Sequence, residues 1–483
     1  MLRDSRMEKG MDSRALKLSS SIAHDRNIFY YDILVDVAHT LTLHKSGYLS
    51  DTEAAEILKA LKEIKDRGYN TEWKYEDVHE AIEAEVTRLT PAGMKMHTGR
   101  SRNDEVATCL RLFARDHLLN LAENILLIME VILNRAENSN SIMPGFTHLQ
   151  YAQPTRLSHH LIAYHDMLSR DFDRALEAFK RANRSPLGSA AFASTGYILD
   201  RHYSARLLGF DGVVENSEDA VSSRDFIIDA VYVCASLMLS ISRIAEEIVL
   251  FSSEFDFIDL PDEFASTSSI MPQKKNPDIA ELLRANAGRM IGNLTATMSI
   301  YKAMPFSYNR DFQEMNAILY DSLKRAETAS EVLAAMFEKI RFKKDVIEKK
   351  ASKGFATATE LADMLVMKYN IPFRISHRII GKLAARGVQK PTGKDIESLA
   401  REMGYSIKIN DDDIDEAMNI GKAVERRKNT GGTALEEVRR MITARKSELK
   451  DRRAKIRNLR GRIGLSLRML YQEAEKLEVN FHA

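Results

Sequence analysis

With 483 residues, 44% of them hydrophobic and 29% charged, the chain is too long for one small core and has the composition of a globular protein rather than a disordered chain. At roughly 150 residues per domain it is expected to fold as about three. Seventy lysines and arginines against 69 aspartates and glutamates leave a formal charge of +1, so bulk charge gives no reason to expect nucleic acid or a membrane surface as partner.

The first twenty residues carry Arg3, Asp4, Arg6, Glu8 and Asp12 without an apolar run, so no signal peptide is expected. Cys109 and Cys234 both lie in apolar-periodic segments; they make neither a disulfide framework nor a C-x-x-C pair, and a cytoplasmic location is expected. The prolines leave long free stretches at 92–143, 187–260 and 306–371. Proline lacks the N–H and clashes with the preceding turn, so these stretches predict long helices.

His97 to Asp104 reads H-T-G-R-S-R-N-D. Gly99 permits a tight turn, and Arg100, Ser101, Arg102 and Asn103 crowd the start of a helix, where free N–H groups and arginine forks suit a carboxylate. A helix cap flanked by surface arginines is the competing reading. Val106, Leu110, Phe113, His117, Leu121, Ile125, Ile128 and Ile132 then step by three or four along one helical face, with Asp104 as candidate N-cap. After the Pro144-Gly145 turn, His148 between Thr147 and Gln150 offers a general acid or base, or merely a structural histidine. The segment 226–251 is apolar nearly all round yet holds Asp229, Arg243, Glu246 and Glu247; it predicts a core helix needing neighbours on every side, not a membrane span.

Ser266 to Pro277 is hydroxyl-rich, dibasic and bracketed by prolines, which suits a lid carrying positive charge for an anion formed in the reaction. Tyr308 to Glu314 is a polar patch after Pro305 that fits either a helix cap or a carboxylate contact. Few runs alternate with period two, so no substantial sheet is expected. At the C-terminus Leu435, Ile442, Leu449, Ile456, Ile463 and Leu470 recur every seven residues, weakened as a helix by Gly461 and Gly464. Twelve lysines and arginines against two acids between Arg439 and Arg468 fit an amphipathic helix packed on its own protein, with an anionic partner such as RNA as the alternative. No phosphate-binding glycine loop and no H-E-x-x-H occurs, so neither metal nor nucleotide cofactor is indicated.

Taken together, H-T-G-R-S-R-N-D, the S-S-I-M-P-Q-K-K-N-P loop from Ser268, Glu76-Asp77-Val78-His79, Ser185 to Gly188, Ser217 to Arg224 and Ala358 to Asp363 resemble, in order over residues 18 to 434, the argininosuccinate lyases of the fumarase/aspartase superfamily. The resemblance implies an all-α, three-domain fold with a long central bundle, a homotetramer and active sites shared between subunits. It implies boundaries at 1–104, 105–352 (with the catalytic loop at 261–278), 353–434 and a basic extension at 435–483. The implied reaction is cleavage of argininosuccinate to arginine and fumarate by general acid–base elimination. By resemblance Ser268 is the base, Lys274 stabilises the aci-carboxylate dianion, and His148, oriented by Glu281, protonates the leaving nitrogen. Ser101, Arg102, Asn103, Thr147, Asn276, Tyr308, Arg310 and Gln313 are implied carboxylate contacts. Ser21 and Asp25 would meet the arginine portion, with Arg224 nearby. The family's fourth segment reads Y-N-K-D-x-Q-E-D-K; here Arg310 replaces its first lysine and Asn316 its second, and the family's W-G-G-R is missing. Adenylosuccinate or another N-substituted aspartate is therefore an alternative substrate, and a non-catalytic protein on the same fold a further alternative.

Overall fold

The computed structural model describes residues 10–481, so Arg3, Asp4, Arg6 and Glu8 lie outside the described residues. Five long helices form the centre: Arg102–Glu137, Leu157–Ala182, Asp225–Ser252, Asp278–Tyr301 and Gln313–Lys339. Three of them fall in the proline-free stretches. The Arg102–Glu137 helix packs along the Leu157–Ala182 and Gln313–Lys339 helices, and Asp225–Ser252 packs along the Asp278–Tyr301 helix. Small helices, Phe29–Lys45, Asp51–Arg67 and Val78–Leu89, share this core, whereas Phe355 to Ala417 enclose a second core of their own.

The cap of the Arg102–Glu137 helix is Ser101, not Asp104. The Ser101 hydroxyl accepts from the Asn103 N–H, and Asp104 at the third position reaches back to the Ser101 N–H, a reciprocal box that satisfies two otherwise orphaned donors. Gly99 has φ of +68°, as its tight turn requires. The Asp225–Ser252 helix is long and apolar enough to cross a membrane, but Phe226, Ile227, Val231, Leu237, Met238 and Ile241 are buried inside the bundle. Its neighbours within one chain cover most of it; Tyr232 and Leu239 remain 46% and 47% exposed. Sheet is confined to two-stranded ladders among the described residues, the longest being Ile142–Thr147 with Gln150–Arg156.

At 36 residues, and ~1.5 Å per residue, the Arg102–Glu137 helix separates its two ends by ~54 Å. Around its start lie the amino-terminal helices and the beginning of the Gln313–Lys339 helix, whose Gln313 and Arg310 both donate to the Ser19 carbonyl. Around its finish, Arg135 donates to the Ile340 carbonyl, Ile258 pairs with Phe342, and Phe146 rests against Phe255 and Phe257.

The Leu435–Glu475 helix runs back between those ends. Ile442, Leu449, Ile456, Ile463 and Leu470 are buried, and the helix continues through Gly461 and Gly464 because this packing outweighs their low propensity. Its cations meet acids of the same chain: Lys446 with Glu137, Arg453 with Glu130 and Arg460 with Glu123, at 2.6, 2.6 and 3.1 Å. Both rows step by seven residues in opposite directions, an antiparallel ladder. Arg445 holds Asp166 and Arg452 holds Asp173 on the other side. The basic stretch is thus an amphipathic helix complemented by its own protein.

Candidate active site

Ser21, Asp25, Asp77, His79, Arg102, Asn103, Arg224, Tyr308, Arg310, Phe312, Gln313 and Asn316 surround one cavity of about 210 Å³ at the start of the Arg102–Glu137 helix. Five separate stretches meet there, tied by polar contacts. The Ser21 hydroxyl donates to Asp25 at 2.7 Å, and Asp25 also accepts from the Val78 N–H. Arg102 pairs with Asp77 at 2.9 Å, while Arg310 is engaged by Glu76 and by the Ser19 carbonyl. Asn103 donates to the Ala191 carbonyl. Asp104 accepts from the Gly188 and Ala190 amides, fixing the Ser185–Gly188 segment against the helix start.

Two guanidinium groups here are incompletely satisfied. Arg224 is fully buried; its Nη1 donates to the Val221 and Ser223 carbonyls and its face covers the Phe312 ring, but Nε and Nη2 have no partner among the described residues. Arg102 Nε and Nη2 are likewise unpartnered, as is Asn316 Oδ1. Buried polar groups without partners are costly, and clustered N–H donors around a cavity are what a carboxylate ligand satisfies. Burial lowers Arg224 to about 10, still charged at neutral pH. Burial raises Asp25 to about 6, against the pull of His79, the Ser21 hydroxyl and the Val78 N–H.

Beneath the cavity lies an ionic cluster that sequence reasoning missed. His79 Nδ1 is 2.8 Å from Asp32, and Arg100 meets Asp36 at 2.5 Å and Glu105 at 3.0 Å, all buried. Burial opposes charge on His79, but Asp32 and then Glu105 outweigh it and raise the imidazole to about 10. Burial raises Asp36 to about 7 despite Arg100. Asp32, His79 and Cys109, like Asp32, Asp36 and Glu105, bring ligand atoms within 4.8 Å of one another. The Arg100 and His79 cations already occupy these carboxylates. The available signal was the Asp77-Val78-His79 triplet, whose alternate residues feed the cavity while Val78 enters the core.

Apart from Ser101, which caps the helix beside the cavity, the remaining candidates stand at the opposite end of the bundle. Thr147 pairs with Gln150 across a two-residue turn formed by His148 and Leu149, with φ of +54° and +57°. Such turns favour asparagine and glycine, and bulkier residues held there are strained, a cost found at functional sites. His148 is exposed at the tip. The loop after Pro261 is a small hairpin in which Ser266 faces Asn276 and Thr267 faces Lys275. Ser268 Oγ accepts from the Ile270 and Met271 amides at 3.3 and 3.0 Å. Lys274 donates to Asn276 at 2.6 Å, and Glu281, in the first helical turn beyond, is exposed and 4.0 Å from Arg284. Thr147, His148, Ser268, Lys274, Asn276 and Glu281 are not among the cavity's lining residues; a single chain does not bring the two groups together.

Comparison with known proteins shows the family and the fold. The chain matches the lyase family model over residues 5–292 and the argininosuccinate lyase C-terminal model over 355–425. It is 70% identical over 482 residues to the argininosuccinate lyase of Archaeoglobus fulgidus, covering 100% of both chains, and 45% identical to that of Methanosarcina mazei, covering 93% of both. EDDS lyase in complex with formate superposes with a TM-score of 0.86 at 28% identity over 96% of this chain and 94% of that one. The class II fumarase of Schistosoma mansoni, 17% identical with a TM-score of 0.72 over 84% of this chain and 93% of its own, shares the fold. The chain belongs to the argininosuccinate lyase family.

Proposed function

We propose that this protein cleaves argininosuccinate to L-arginine and fumarate in an active site assembled from several copies of the chain. The observation that carries the reading is the hydrogen bonding of Ser268: two backbone N–H groups point at its Oγ, and such donors favour negative charge on an oxygen that must act as a base. Ser268 takes a proton from the methylene carbon next to the carbon that bears the departing nitrogen, and the electron pair spreads into the carboxylate on that methylene before it forms the new carbon–carbon double bond. Lys274, six residues along the same hairpin, supplies the charge that this dianion needs. His148, oriented by Glu281, protonates the leaving nitrogen as the carbon–nitrogen bond breaks. Thr147 and Asn276 hold carboxylates beside these groups, with Ser101, Arg102, Asn103, Tyr308, Arg310 and Gln313 contributed across the interface. Ser21 and Asp25 receive the arginine portion, and Arg224 lies beside it.

The ~54 Å length of the Arg102–Glu137 helix keeps the two groups apart within one chain, so a complete site needs partners. Leu282, Ile291 and Met298 are 59%, 48% and 53% exposed along the Asp278–Tyr301 helix, an apolar face that association would cover. A homotetramer built on the central helices, with 1–104, 105–352, 353–434 and 435–483 as its parts, is the arrangement we favour. The cytoplasm is its expected compartment, in keeping with two free, buried thiols. Incubation of the purified protein with argininosuccinate and, separately, adenylosuccinate tests the reading: fumarate is released from the first alone. Release from adenylosuccinate instead would assign the enzyme to another substrate.

A further inference from the structure

Two cavities, of about 410 and 350 Å³, open side by side where the Leu435–Glu475 helix runs along the last turns of Arg102–Glu137, and Asn134 lines both. Each has the size of a small-molecule pocket, about 300–1,000 Å³. Lys446, Lys450, Arg453 and Arg457 line the first, at steps of four, three and four along one helix face. Arg135, Lys339, Arg341 and Lys344 line the second. Among the described residues Glu130 is the one acid that lines either. Lys446 is answered by Glu137, Arg453 by Glu130, Lys339 by Glu263 and Arg341 by Asp259, at 2.6, 2.6, 2.9 and 2.7 Å. Lys450, Arg457 and Lys344 have no acidic partner among the described residues. Arg135 gives Nη2 to the Ile340 carbonyl, and its Nε is unpartnered. Eight cations less four acids leave a surplus of four positive charges, on a chain whose formal charge is +1.

Folding accounts for only part of this surplus. Arg135 and Lys339 stand in the last turns of their helices, where the macrodipole favours cations. Lys450 and Arg457 are mid-helix. Lys446 and Lys450, like Arg453 and Arg457, are like charges four residues apart, which repel one another until an anion sits between them. The row from Lys446 to Arg457 extends ~16 Å, so an anion that meets all of it is long and charged throughout. Phe342, the one aromatic lining residue among those described, is covered by the Arg135 guanidinium at 5.4 Å, which leaves no ring for a base to stack on. We infer that this groove binds a linear chain of condensed phosphates, either free or as the tail of a nucleotide. The Leu435–Glu475 helix packs on Arg102–Glu137 and Leu157–Ala182, and the Asp278–Tyr301 helix on Asp225–Ser252 and Gln313–Lys339. Association through the apolar Asp278–Tyr301 face therefore leaves the groove open.

Calorimetric titration of the full chain at low salt, without divalent metal, uses tripolyphosphate, longer polyphosphate, ATP and a uridine oligonucleotide as probes. Tripolyphosphate and ATP are both expected to bind, and to weaken as salt is raised. Affinity that grows with polyphosphate length would mark the free polymer as the ligand; ATP binding more tightly than tripolyphosphate would mark a nucleotide. Lys450→Glu and Arg457→Glu, at exposed positions, should each weaken tripolyphosphate by about three- to tenfold, with helical content by circular dichroism unchanged. Lys455→Glu makes the same charge change on the same helix outside the groove and should cost less than about twofold. An equal loss in Lys455→Glu would overturn the site, because diffuse charge would then explain the binding. So would an oligonucleotide that binds more tightly than polyphosphate of equal charge, which would make the groove a nucleic-acid surface, or a folded protein that does not bind tripolyphosphate.

Discussion

Two inactive variants should repair one another. Ser268→Ala removes the proposed base at one end of the bundle, and Arg102→Gln removes a guanidinium from the cavity at the other. Since ~54 Å of helix lies between those ends, no site draws both residues from one chain. Let a fraction f of chains carry Ser268→Ala and the rest Arg102→Gln, mixed at random in the oligomer. A site is then intact when its Ser268 donor is a chain of the second kind and its Arg102 donor one of the first, with probability f(1−f). Equal mixing therefore recovers about a quarter of the unmodified activity, and a three-to-one mixture about a fifth, as closed symmetric assemblies with independent sites require. Co-expression of differently tagged chains, two-step purification and a fumarate assay measure this directly. A mixture as dead as either parent, in oligomers shown to contain both tags, would refute the shared site.

Other outcomes follow from individual contacts. Ser268→Ala alone should lower turnover by ~100-fold or more while size-exclusion elution stays unchanged; near-normal turnover would remove the base assignment. Asp25 must be ionised to receive a cation, so arginine affinity should fall as pH drops through about 6, and Asp25→Asn should flatten that limb in a calorimetric titration. His79 has a folded-state pKa of about 10, above its unfolded value, so its contribution to stability is complete below about 6.5 and declines as pH rises toward 10. Thermal melts of the unmodified protein should fall over that window more than those of His79→Gln, which should itself be destabilised by about 3–5 kcal/mol because it leaves buried carboxylates short of a cation. Ile456→Ala, at a site 2% exposed, should cost about 2–5 kcal/mol in denaturant unfolding.

The sequence made the helices legible because proline and period act locally. The Arg102–Glu137 helix could be seen from its apolar face, but its cap was assigned three residues late: Asp104 and Ser101 both qualify by residue type, and only the reciprocal hydrogen bonds distinguish them. The candidate site was legible as residue types in order, with the resemblance supplying roles. Its division between two ends of a bundle was not, since sequence order carries no information on which end of a long helix a loop meets. The His79, Asp32, Arg100, Asp36 and Glu105 cluster stayed hidden for a similar reason: its members come from three helices and a turn and read singly as surface charges. The Tyr308–Asn316 segment shows a further limit. Arg310 lines the cavity, but its sequence position does not reveal that its Nη2 also donates to Glu76 and to a main-chain carbonyl.

The charge ladder of the Leu435–Glu475 helix is evenly graduated, and evenly graduated scales have no zero. Sliding this helix by one heptad, ~10 Å, would put Lys446 opposite Glu130 and Arg453 opposite Glu123, keeping two of the three rungs. The zero mark must come from features that do not repeat. Arg156 grips the Thr433 carbonyl just ahead of the helix, and Lys65 donates to the Phe481 carbonyl just beyond it, while Tyr30 meets Tyr471 near its end. Those end contacts act as a vernier: weak individually, they select one alignment among several that the repeating middle tolerates.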